Sequence, residues 1–210
     1  MDGDAFLDRI EADNRTELSR LGSSKSLYAD TGGEMETEAV LAATADAEYH
    51  ARQTFARWAD DEDDDDAAAV FDDAAADEAD HYEQVVATID GDHDPAADPP
   101  PVHAYLRDLD GAVERLGGFV GRTLASDASK GQTVGFFTGQ ADPGTASLFR
   151  DLRADLDDQL AGALDALESV CADEADWDRA REAADGAIQA AYEAYVDRLE
   201  SMGVNPKPVC

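Results

Sequence analysis

Three residues have the types and spacing to do chemistry together: Glu48, Glu78 and His81. Glu48 lies seven residues after Leu41 and seven before Phe55, so all three share one helix face. Glu78 and His81 are spaced i, i+3 on the stripe defined by Phe71 and Val85. A buried carboxylate is paired, binds a metal or keeps its proton. Two antiparallel helices that turn these side chains toward one another build half of a carboxylate-bridged di-metal site. Oxygen and imidazole donors suit iron or manganese. The competing reading puts Glu48 at a boundary, snorkelling to solvent, and makes His81 an ordinary, partly buried histidine.

Such a site needs long helices, and the chain reads as helix throughout. Alanine occurs 40 times and β-branched runs are nearly absent. Asp4 to Leu21 reads as a short first helix, stopped by Gly22 and followed by a loop through Gly32-Gly33. Glu36 to Ala59 is a long amphipathic helix with Leu41, Ala45, Glu48, Phe55 and Ala59 on one face. The acidic run Asp60 to Asp66 is a solvated turn, and Asp66 to Thr88 is the next helix. The segment 91–101, with four prolines, is a stiff connector and the long crossover of the chain.

In the second half, Val102 to Leu116 is helical, Gly117-Gly118 bends it, and Phe119 to Leu124 continues it. Ser126 or Asp127 caps a further short helix through Phe137. Gly139 to Gly144 is a break. Thr145 to Ala172 is a long helix with Leu148, Leu152, Leu156, Leu160 and Leu167 as its stripe. Asp173 caps the last helix. The expected class is all-α: a four-helix bundle over 36–172, an N-terminal helix and loop over 1–35, and a C-terminal helix and tail over 173–210.

Charge excludes several functions. Asp plus Glu is 49 against 16 Lys plus Arg, a net charge of −33, and only three residues are Lys. A direct nucleic-acid groove needs clustered cations, as does a polybasic membrane contact. There is no apolar run long enough to span a bilayer, and the first ten residues lack a leader-like apolar stretch. With 43% hydrophobic residues the chain is too apolar for an acidic disordered tail. Acidic and Lys-poor together resemble a haloarchaeal cytoplasmic protein, in which molar salt shortens the Debye length to roughly 3 Å and screens the self-repulsion. Cys171 and Cys210 stand at no metal-binding spacing and read as an inert buried thiol and a loose tail.

The segment Ala47-Glu48-Tyr49-His50-Ala51-Arg52, then Phe55, resembles the first-helix motif of the rubrerythrin group of ferritin-like proteins. Phe71 through Glu78-Ala79-Asp80-His81 resembles that family's second helix with its Glu-x-x-His. The resemblance covers roughly residues 36 to 90 and is faint beyond. It implies a ferritin-like bundle with Glu48, Glu78 and His81 as iron ligands, and an oxidative-stress or iron-handling role. The second half departs from the pattern. Gln132 stands near the place of the third-helix Glu, and Leu156 and Gln159 fall at the fourth-helix ligand positions. Asp155 and Asp158 lie beside these and are the candidate substitutes, with Glu114 as a further one. A reduced or mononuclear metal site is therefore expected. The alternative is a metal-free ferritin-like bundle acting as an interaction or regulatory module. Haloarchaeal proteins resembling this chain carry a transcription-antitermination label, and without a cationic surface such a role runs through a protein partner. A homodimer is open as well.

The remaining polar residues read as structural. His50 points away from Glu48 and is expected at the surface. His93 and His103 are expected to be solvated. Gly131 to Gly139 with Phe136-Phe137 reads as close helix packing on two aromatic anchors, or as a protein-binding face.

Overall fold

In the computed structural model, which describes residues 1–207, the described residues form nine helices and no strand. Aspartate side chains cap four of them. Asp2, Asp64, Asp142 and Asp173 each accept from a backbone N–H in the first turn of the following helix, and each such cap contributes about 1 kcal/mol. These helices are α1 (Gly3–Asp13), α5 (Asp65–Val86), α8 (Pro143–Val170) and α9 (Glu174–Ser201). The others are α2 (Arg15–Leu21), α3 (Ser24–Asp30), α4 (Thr37–Asp61), α6 (Pro101–Arg107) and α7 (Gly111–Gly139).

Helices α4 and α5 form the expected antiparallel hairpin, because the 62–64 turn is too short to allow anything else. A second hairpin joins α7 to α8. Helix α5 packs on α8, and α9 lies along α7. The inward stripes of the two hairpins make two of the apolar clusters. One gathers Phe55, Trp58, Phe71 and Phe119, and takes in Phe6 and Ile10 from α1 and Trp177 and Ile188 from α9. The other gathers Leu41, Val85, Phe137 and Phe149, the last two stacked with centroids 5.4 Å apart. Between the two clusters, along α4, α5, α7 and α8, the inward positions turn polar: Glu48, Glu78, His81, Arg122, Lys130 and Gln159 are all buried. No helix of the described residues is long and apolar enough to cross a membrane.

Three local expectations fail. The first helix breaks at Asn14, whose backbone and side-chain N–H groups both donate to the Ile10 carbonyl. The loop after Gly22 contains α3. Most consequential, the region 102–137 divides elsewhere than expected. The chain breaks between α6 and α7, where Gly111 takes φ +73°, a conformation that favours glycine. It then runs unbroken through Gly117-Gly118 to Gly139. Gly117 and Gly121 are not bends. A β-carbon at either would collide with the carbonyl of Ala180 or Ala184 on α9. Each glycine costs about 1 kcal/mol of helix propensity, offset here by backbone-to-backbone closeness. Gly135 and Gly139 have open space around them, so the expected close packing over 131–139 is absent at those two positions.

Candidate metal or ion-pair centre

Glu48 comes from the middle of α4, and Glu78 and His81 from α5 across the hairpin. One ligand-type atom from each lies within 4.8 Å of the others, and all three residues are essentially without solvent exposure. The helix periodicity that placed them inward is the cause. A turn of three residues then sets the registry that brings Glu48 opposite Glu78.

The facing helix α7 presents cations. Lys130 Nζ donates to Glu48 Oε1 at 2.6 Å, and Arg122 Nη1 donates to Glu78 Oε1 at 2.7 Å. Both cations are buried. The Arg122 guanidinium also lies 5.2 Å from the centroid of the Phe55 ring, so its hydrophobic side is covered. Sequence reasoning did not single out Arg122 or Lys130. The signal was present: on one continuous helix both fall on the stripe from Phe119 to Phe137. Dividing the helix near Ser126 hid it. Gln132, at the place where the resemblance expects the third-helix Glu, points elsewhere and donates to the Gly22 carbonyl at 2.6 Å. Glu114, near the start of α7, is not in the cluster.

From α8, Leu156 and Gln159 face inward as counted. Asp155 is half exposed, yet its Oδ2 accepts from His81 Nε2 at 2.9 Å. A carboxylate can only accept, so Nε2 carries a proton and Nδ1 faces Glu78 Oε2 at 3.7 Å. Asp158 is exposed, and the structure does not bring it to the cluster. Gln159 Nε2 donates to Asp77 at 3.1 Å.

Burial pushes the Glu48 carboxyl up to about 7, against the pull of Lys130 and with the help of the Glu78 charge. Burial opposes ionisation of Glu78 too, but the Arg122 guanidinium, with Glu48 and His81 close beside it, holds it well below the usual carboxylate range. Of the pair, Glu78 is the more firmly held anion, and Glu48 is the one that takes up a proton first as pH falls. Burial lowers the His81 pKa, but Glu78, Glu48 and Asp155 together raise it above its ordinary value.

A two-metal centre does not fit these residues. Ammonium and guanidinium groups donate and cannot ligate, and they occupy one oxygen of each glutamate. The second helix pair contributes Leu156 and Gln159 where ligands are needed. A single metal finds a partial cradle. Glu48 Oε2, Glu78 Oε2 and His81 Nδ1 are buried without hydrogen-bond partners among the described residues.

The other histidines depart from expectation. His50 is buried under the connector, its Nε2 2.9 Å from the Ala96 carbonyl. His103 is buried and bonds Thr54 Oγ1 at 3.1 Å. Burial, with Arg122 nearby, keeps its pKa well below the ordinary value. The His93 side chain is largely covered, 3.2 Å from Asp46. In each case the 91–100 segment, folded back on α4, is the cover or lies next to it. Cys171 is a free, half-buried thiol whose pKa is raised to about 11 by burial, matching an inert role. Cys210 lies outside the described residues.

No family model matches this chain, and neither does any curated protein or solved structure.

Proposed function

We propose that this chain is a ferritin-like four-helix bundle whose centre is closed by two buried ion pairs in place of a metal pair, and that it serves as a binding or regulatory module rather than a redox enzyme. The observation that carries this reading is the pairing of Lys130 with Glu48 and Arg122 with Glu78. Two glutamates facing two cations are already neutral. A protonated His81 beside Asp155 extends the balance, three positive groups against three negative ones. A divalent ion added to this set leaves excess positive charge in a buried layer, which is costly.

A second reading has its own observation. The three unpartnered atoms of Glu48, Glu78 and His81 converge, and they favour one iron or manganese ion per chain. Such an ion would supply Lewis-acid or redox chemistry at that point. Asp155 would orient His81 by accepting from Nε2, and Lys130 and Arg122 would hold the outer carboxylate oxygens.

Metal analysis of protein purified in molar salt, before and after anaerobic Fe(II) loading, tests both. No retained iron, and equal metal content in wild type and His81→Ala, supports the ion-pair centre. One iron lost on His81→Ala selects the second reading. Two tightly held irons refute both.

A further inference from the structure

Residues 91–100 lie across α4 without joining any apolar cluster, and none of them is fully buried. From 90 to 99 the backbone makes two hydrogen bonds among the described residues, and both are at Ala96. Its N–H donates to Asp46 Oδ1 at 3.0 Å, and its carbonyl accepts from His50 Nε2 at 2.9 Å. Asp46 and His50 are spaced i, i+4, so they stand one turn apart on one face of α4 and grip Ala96 from both sides. His93 adds to the grip: its Nε2 lies 3.2 Å from the same Asp46 oxygen, and its ring packs on Tyr82 with centroids 5.9 Å apart. The two ends differ. Gly91, at φ +113°, has open space around it and makes a pivot. Pro99, Pro100 and Pro101 are stiff, donate no N–H and lead straight into α6.

A segment with few backbone bonds and little apolar burial opens at a lower free energy than the bundle beneath it. The closed position also carries a cost. His50 Nδ1 and His93 Nε2 are buried without hydrogen-bond partners among the described residues, and water reaches both once the segment lifts. What it covers is specific. His50 is 2% exposed and borders a half-open cavity of about 360 Å³ lined by α4, α7 and α9. Ala96, Asp98 and the three prolines form one wall of that cavity. The cations on the other walls, Arg122, Lys130 and Arg198, pair with Glu78, Glu48 and Asp30, and not with Asp98 of the connector. The wall is thus latched to α4 at Ala96 and His93, with no ion pair across the cavity.

We propose that the 91–100 connector is a hinged strap, latched to α4 by Asp46 and His50 through Ala96, which opens while the bundle stays folded and so controls access to His50 and the cavity beside it. Opening turns the half-open cavity into a groove along α4. The strap does not depend on whether Glu48, Glu78 and His81 hold a metal.

The test uses the full chain in molar KCl at one fixed, neutral pH. Amide hydrogen exchange by NMR follows Ala96, and diethyl pyrocarbonate, which acylates accessible imidazoles, follows His50 by peptide mass. In the wild type the Ala96 amide should exchange at least about a hundredfold faster than those of Leu41 and Phe55 in α4. Asp46→Ala should speed both Ala96 exchange and His50 acylation by at least about tenfold, the worth of a hydrogen bond to a charged acceptor. His81 should stay unreacted and the melting temperature nearly unchanged. Asp46→Asn keeps an oxygen for the Ala96 N–H and should recover most of the protection. An Ala96 amide that exchanges in step with Leu41 and Phe55 overturns the proposal, because the strap then opens only with the whole protein. So does Asp46→Ala that leaves His50 as protected as before or exposes His81 equally, or Asp46→Asn that opens as freely as Asp46→Ala.

Discussion

Replacing Lys130 by Met removes a charge from a buried layer while nearly keeping its volume, and the consequence depends on pH. Glu48 is fully buried and 2.6 Å from the lost ammonium. Its carboxyl titrates near 7 in the folded protein against about 4.5 as the ordinary value. A carboxyl with a raised folded pKa holds its proton more tightly folded than unfolded. Wild-type stability therefore falls as pH rises between these two values, by about 3 kcal/mol, and levels off above pH 7. Without Lys130 the folded pKa rises further, because the largest influence lowering it is gone. The decline then continues past pH 7. Near pH 6 the variant loses little, since Glu48 is protonated in both proteins. At pH 9 it should lose about 3–5 kcal/mol, the cost of breaking a buried pair from one side. Urea unfolding at constant molar salt, from pH 6 to pH 9, measures this directly. Adding Glu48→Gln should cancel the extra pH dependence. A wild-type–variant difference that stays flat across that range would refute the assignment of Lys130 as the partner of Glu48.

Other perturbations probe separate features. His81→Ala should destabilise by about 1–3 kcal/mol, as Glu78 and Asp155 lose a shared partner, with metal content unchanged; thermal melts and metal analysis read the two outcomes. Gly121→Val should destabilise by about 1–3 kcal/mol or more in a thermal melt, because its β-carbon meets the Ala184 carbonyl. Gly135→Ala on the same helix should instead stabilise by about 0.5–1 kcal/mol, since nothing lies within 4 Å of the added carbon. Dialysis below about 0.5 M salt should lower the melting temperature, because a net charge of −33 is then poorly screened; an unchanged melt contradicts that account.

How the chain divides between the two levels of description follows from the range of the forces. Helical class, the α4–α5 hairpin and the inward direction of Glu48, Glu78 and His81 all follow from local periodicity and turn length, and a sequence states these openly. The same counting put Leu156 and Gln159 inward on α8, where they are found. Local rules misled at Gly117 and Gly121. A glycine's propensity cost is local, whereas the benefit comes from α9, some sixty residues away in the chain.

The identity of the centre was decided by packing. Two carboxylates and a histidine on one hairpin are equally consistent with metal ligands and with ion-pair partners. Sequence alone turned these groups toward the inward face, where any that are buried need compensation. Only the tertiary structure determined what compensates them: an uninterrupted α7, packed closely on α9, delivers Arg122 and Lys130 to the two glutamates. The histidines at 50 and 103 show the same division, for their burial depends on where a proline-rich connector folds back. Local patterns fix which face a side chain takes. Which group meets it there is set by elements distant in sequence, and no local spacing records that.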